Sequence, residues 1–246
     1  TAFWVLAGAG LVQTLMALAF VPESLPRQRR HAGGLATFLA SSRTLLGHRR
    51  YLGFVLVNAG AGITLFAYLS TSSFILQVMH GLTPTAYSID FAANAMALLL
   101  ASSVSARLAG RVDTRRVIFI GQCVAFAASV VLLGSALVGQ SGHSALLVVL
   151  ICFFLLMLAQ GLIAANGAAM ASAQVPELAG TASALLGLAQ SLAAAITPPL
   201  AGIGGQRTAL PMAILSLLGA AGGMIALHGL TRPGGEPAPG RTAPPE

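Results

Sequence analysis

The sequence predicts an all-α polytopic membrane protein with seven transmembrane helices. Three observations carry that prediction. Of 246 residues, 56% are apolar and 8% charged, with mean hydropathy +0.84. A soluble domain carries about 25% charged residues, because water must solvate its outside. The apolar residues also fall into long runs separated by short polar stretches. Finally, no run alternates with period two, as a barrel strand would, and an open sheet would leave backbone groups unpaired in lipid. An ordinary soluble enzyme and a disordered chain are both excluded.

A span needs about 20 apolar residues to cross about 30 Å of hydrocarbon. The first run is Ala2 to Val21, closed by Pro22 and Glu23. A polar linker follows from Pro22 to Arg50. The second run, Tyr51 to Met79, ends at the turn-like His80-Gly81-Leu82-Thr83-Pro84. The third runs from Tyr87 to about Ala109, where a basic loop, Gly110 to Arg116, ends it. Val117 to Pro176 holds no Asp, Glu, Lys or Arg and is too long for one span; Gly139-Gln140-Ser141-Gly142-His143 splits it into a fourth and a fifth. Gln174 to Gly180 is the next loop. Thr181 to Ala201 is the sixth run and Thr208 to Leu230 the seventh. The tail from Thr231 to Glu246 is rich in Pro and Gly and reads as disordered.

The positive-inside rule orients these spans. All 13 basic residues are Arg. Six lie in the linker: Arg27, Arg29, Arg30, Arg43, Arg49 and Arg50. Arg107, Arg111, Arg115 and Arg116 mark the loop after the third span, and Arg232 and Arg241 the tail. These segments alternate onto one side, which leaves Arg207 alone on the other. The linker and tail are therefore expected in the cytoplasm. The net charge of +7 and pI near 11 are read as this topology signal, not as a nucleic-acid surface. Without Lys there is no P-loop lysine and no retinal Schiff base.

Leu35, Phe38, Leu39, Leu45 and Leu46 roughly share one helical face of the linker. Two readings stand: a short amphipathic helix on the inner membrane surface, or a loose basic connection. Cys123 and Cys152 sit in different apolar runs and read as buried thiols. The five His lie at loops and run ends, with no metal-ligand spacing and no Ser/His/Asp arrangement. No metal, cofactor or catalytic group is expected. Thr opens the chain and no basic stretch precedes the first run, so it reads as a fragment or processed product without a signal peptide.

Polar residues inside the runs are the candidate site. Asp90 is the one carboxylate within a run, about one turn from the outer end of its helix. It is either a solvated interfacial acid or a pathway acid. Asn94 shares its face at i+4, continued by Ala97 and Ala101, a face that suits a cavity border. On the sixth run, Ser183, Gly187, Gln190, Ala194 and Thr197 form one stripe of small or polar residues. An amide facing lipid would stay unpaired at a cost of roughly 2 kcal/mol or more. Gln190 therefore faces a pore, the preferred reading, or bonds another helix. Asn58 and Asn166 carry the same two readings. Pro198-Pro199, then Gly202, Gly204 and Gly205, should bend or end this helix. Gly219 and Gly223 are a small-xxx-small pair that reads as tight packing.

Four stretches carry a family resemblance. Phe20-Val21-Pro22-Glu23-Ser24-Leu25 is similar to a helix exit commonly written L-P-E-T-L. Ser72-Ser73-Phe74-Ile75-Leu76-Gln77 with His80-Gly81-Leu82-Thr83-Pro84, Phe91-Ala92-Ala93-Asn94-Ala95, and Pro176-Glu177-Leu178-Ala179-Gly180-Thr181-Ala182-Ser183-Ala184-Leu185 follow in order. Together they resemble the C-terminal half of the major facilitator superfamily, and more closely its Bcr/CflA drug-resistance group. The loop Ala106 to Arg116 departs from the family's acidic loop motif: Gly110 stands where the acid is expected and Asp113 where the second Gly is.

The resemblance implies helices six to twelve of a twelve-helix transporter. Residues 1–21 would be helix six, 22–50 a cytoplasmic basic linker, 51–230 a six-helix bundle and 231–246 a disordered cytoplasmic tail. It implies proton-coupled efflux of amphipathic drugs across the cell inner membrane by alternating access. The partners would be a small-molecule substrate, protons, the lipid bilayer and the missing N-terminal half. The residues expected to line the C-terminal side of the cavity are Asn58, Asn94, Asn166 and Gln190, with Asp90 as the pathway acid. An exporter of another metabolite, or a nonfunctional remnant, fits the same fold. An intramembrane enzyme would need more acids and histidines at depth, and a seven-helix receptor would need a coupling motif.

Overall fold

A computed structural model describes residues 2–20, 34–138 and 143–231. The linker arginines Arg27, Arg29 and Arg30 and the tail from residue 232 lie outside these residues. The chain divides into two compact units, residues 1–39 and 40–246. The first unit holds α1, Ala2–Phe20, an apolar helix whose described side chains are all exposed. α2, Leu35–Gly47, begins in this unit. A helix therefore forms inside the basic linker.

In the second unit the end of α2 leads directly into α3, Arg49–Phe74. Ser42 and Leu45 of α2 are buried, whereas Leu46 is exposed. His48 separates the two helices and caps α3, its Nδ1 accepting from the Tyr51 amide at 3.3 Å. α3 continues as a π-helical stretch, Ile75–Met79. Gly81 then turns the chain with φ +70°, a conformation glycine adopts freely. Thr83 caps α4, Pro84–Leu108, by accepting from the Ala86 amide at 3.2 Å. Pro84 fits at the start because the first helical N–H groups lack partners anyway. This start places Asp90 nearly two turns into α4, deeper than the hydropathy boundary suggested.

α5 is Thr114–Val138, α6 His143–Ala173, α7 Ala179–Ala201 and α8 Leu210–Gly229. Seven helices are long and apolar enough to cross a membrane, and α2 is not among them. Pro198 and Pro199 lie inside α7, which ends at Ala201 and tightens into a 3-10 turn, Gly202–Arg207. With no N–H to donate, these prolines deprive the Ala194 and Ala195 carbonyls of their helical partners.

α3 packs against α6, α7 and α8; α5 packs against α6 and α8, and α4 against α6. Small residues permit these contacts. A Cβ on Gly60 of α3 would run into the Gly219 carbonyl of α8, and the reverse is equally blocked. The backbones touch, which is how helices gain dispersion contact in lipid. A Cβ on Gly161 of α6 would meet the Leu98 carbonyl and, at 2.8 Å, Ala101 of α4. Ala97 and Ala101 are buried, Ala101 against α6.

Polar ties gather one end of this unit. The Tyr51 hydroxyl donates to the Ala182 carbonyl at 2.8 Å, joining the starts of α3 and α7. Arg115 at the start of α5 donates to the Leu227 carbonyl at 3.1 Å and the Thr231 hydroxyl at 3.0 Å, closing the end of α8. Arg49, Arg50, Arg107, Arg111, Arg115 and Arg116 thus share one end of the bundle. Gly110 in the α4–α5 loop has φ +79°, a conformation glycine adopts freely.

Candidate functional site

Asn58 lies nine residues into α3 and Gln190 eleven into α7. At 1.5 Å per residue both sit about 15 Å deep, near the middle of a span. The structure brings them together. The Gln190 amide donates through Nε2 to Asn58 Oδ1 at 3.2 Å. Asn58 is buried and donates onward through Nδ2 to the Ala164 carbonyl of α6, also at 3.2 Å. Gly167 of α6 lies against this amide, where a Cβ would meet Nδ2 at 2.7 Å. Three helices are thus joined by one chain of amides. Gln190 itself remains exposed, as do Ser183 and Gly187 on its stripe. Gln190 thus bonds another helix, while the rest of its side chain is exposed on α7.

Asn166 does not join this chain. It sits two residues beyond Ala164, about 200° around α6. Its Nδ2 donates to the Ser105 hydroxyl of α4 and, at 2.6 Å, to the Leu162 carbonyl one turn back. It ties α6 to α4 on the opposite face.

Asn94 belongs to a third group, toward the other end of the bundle. It is buried on α4 and donates through Nδ2 to Asp90 Oδ2 at 2.9 Å and to the Tyr68 hydroxyl of α3 at 3.2 Å. The Ser72 and Tyr87 hydroxyls are paired at 3.3 Å. Tyr68 stacks on Phe91 with centroids 6.1 Å apart and meets the edge of Phe153 at 5.2 Å. The i+4 pairing of Asp90 and Asn94 was legible in the sequence; Tyr68, Tyr87 and Ser105 were missed as partners. Ser105 continues the Asn94, Ala97, Ala101 stripe by one turn, so periodicity alone signalled it. Gln122 was also missed. It is buried on α5 against Gly223, and its Nε2 has no hydrogen-bond partner among the described residues.

Among the described residues no group of three His, Cys, Asp or Glu stands ready to hold a metal. The arrangement offers amides, hydroxyls, aromatic faces and one carboxylate within an apolar bundle. These groups sit in a polytopic helical membrane protein. The chain belongs to the major facilitator superfamily, whose family model matches residues 1–198 and, overlapping, 55–245.

Its relatives include the uncharacterised MFS-type transporter YdgK of Bacillus subtilis (strain 168). The two are 30% identical over 232 residues, 94% of this chain and 56% of that protein. The multidrug resistance protein MdtL of Vibrio parahaemolyticus is 29% identical over 192 residues, 76% of this chain and 46% of its own length. A bicyclomycin resistance protein homolog of Haemophilus influenzae is 22% identical over 210 residues, 85% of this chain and 52% of its own. The chain spans about half the length of these curated relatives. No solved structure matches it.

Proposed function

We propose that this chain supplies one half, with the sixth helix attached, of a secondary transporter that exports amphipathic drugs by alternating access, driven by inward proton flow. In this reading α1 is helix six and α3 to α8 are helices seven to twelve. The protein resides in the plasma membrane with the arginine-bearing end of the bundle in the cytoplasm. The observation that carries it is Gln190: a mid-span amide, braced by Asn58 yet exposed on α7. An exposed amide there needs a polar neighbour from a second bundle, a substrate or water. Names of two relatives, a multidrug resistance protein and a bicyclomycin resistance protein homolog, support drugs as the substrate class. Hydrogen-bonding amides in an apolar wall suit loose selection among varied ligands.

The test is ethidium efflux from an efflux-deficient bacterium. The chain is expressed alone, then together with the part of the Bacillus subtilis relative that it does not match. Efflux is expected only when both are present, and an uncoupler should abolish it. No efflux from halves that co-purify would overturn the reading, as would efflux by the chain alone or efflux that ignores the uncoupler.

A further inference from the structure

The Asp90 group does something the amide chain of Asn58 and Gln190 does not. Asp90 is half-buried, accepts a hydrogen bond from Asn94, and has no cationic partner among the described residues. A carboxylate in that setting is costly unless something positive meets it. Asn94 is 1% exposed, and both its N–H groups are engaged while its Oδ1 has no partner. Against an ionised Asp90, turning the amide around would set Oδ1 facing the carboxylate oxygen. One negative group and one orphaned acceptor therefore sit side by side, asking for a cation that carries N–H.

The rings beside them have the matching property. Tyr87 and Phe91 have centroids 6.0 Å apart, and Phe91 stacks on Tyr68. Aromatic faces attract cations within about 6 Å. Phe91 is 39% exposed and Tyr87 is half-buried, so the group opens to the surface of the unit. Asp90 lies six residues into α4, about 9 Å from its start at 1.5 Å per residue. A charge need not reach mid-membrane to touch it. A divalent metal would require more ligands than one carboxylate, and an anion would be repelled.

We propose that Asp90 and Asn94, with Tyr68, Tyr87 and Phe91 around them, form a subsite for an organic cation bearing N–H donors. The cation pairs with Asp90, donates to Asn94 Oδ1 and lies against the rings. This deepens the transport reading by naming a substrate class, and it rests on that reading for its biological use. Its test uses binding alone, so the two can fail separately.

The chain is placed in lipid nanodiscs, with empty nanodiscs as blank, and titrated with two fluorescent apolar dyes. Ethidium is a cation with amino donors; N-phenyl-1-naphthylamine is neutral at pH 7. Asp90→Asn should weaken ethidium at least about tenfold, the worth of one charge-assisted contact, and leave the neutral dye unchanged. Asp90→Glu should retain most ethidium binding. Equal loss of both dyes, or unchanged ethidium, overturns the subsite. If Asp90→Asn fails to fold, the unsubstituted chain carries the test. 1-Naphthylmethylammonium, a cation with N–H donors, should displace ethidium and neutral 1-naphthylmethanol should not; equal displacement overturns it. Selective binding without efflux would sink the transport reading and leave the subsite standing.

Discussion

The Gln190 side chain of α7 donates to Asn58 of α3 at 3.2 Å across 132 positions of sequence, and Asn58 passes the bond on to the Ala164 carbonyl of α6. Each amide alone would cost the bundle free energy in lipid. Joined, they meet one another's hydrogen-bonding demand across three helices.

Gln190→Leu keeps the side chain's approximate size and removes its amide. Asn58 Oδ1 then loses its donor. The stability loss should be about 0.6 kcal/mol, the average for interhelical hydrogen bonds in membranes. If the exposed flank also meets substrate, the assembled transporter should shift its relative efflux across a panel of ligands. A lowered melting temperature with an unchanged panel would assign Gln190 to packing alone.

Gly60→Ala should destabilise by about 1–3 kcal/mol, since the added methyl meets the Gly219 carbonyl and the two backbones must separate. Gly187→Ala is the control. Nothing lies within 4 Å of a Cβ there, so a helix gains a better former at no steric cost. Melting of both variants in detergent checks this. A Gly60→Ala variant as stable as the parent would show that α3 and α8 pack differently.

Arg115→Met keeps most of the aliphatic stem and removes the guanidinium. The Leu227 carbonyl and Thr231 hydroxyl then lose their charged donor at the end of α8. The expected loss is about 1 kcal/mol. Amide exchange at residues 227–231 should accelerate more than at α8's middle. Uniform acceleration along α8 would argue against a local cap.

Orientation is checked with single cysteines at Arg111 and His80, after Cys123 and Cys152 are replaced by Ala. These positions sit at opposite ends of α4. In whole cells an impermeant maleimide should label position 80, and should reach position 111 only after permeabilisation. The reverse pattern would invert the proposed topology.

Hydropathy by itself determined the class and the spans. Lipid leaves a backbone few ways to satisfy its polar groups, so run length and composition translate directly into helices. The turns at His80 to Pro84 and at Gly110 were legible too, although the third helix starts at Pro84, capped by Thr83, and not at Tyr87. The i+4 pair of Asp90 and Asn94 was visible because one helix carries both. Partners on different helices were not. Asn58, Asn94, Asn166 and Gln190 look alike in sequence, yet the tertiary structure sends them to three separate places. Asn166 ends against Ser105, Asn94 against Tyr68, and only Asn58 finds Gln190. Their choice depends on how each helix is rotated about its axis. That rotation is set by backbone contacts such as Gly60 on Gly219; the pair Gly219 and Gly223 marked a packing face in the sequence, but not its partner on α3.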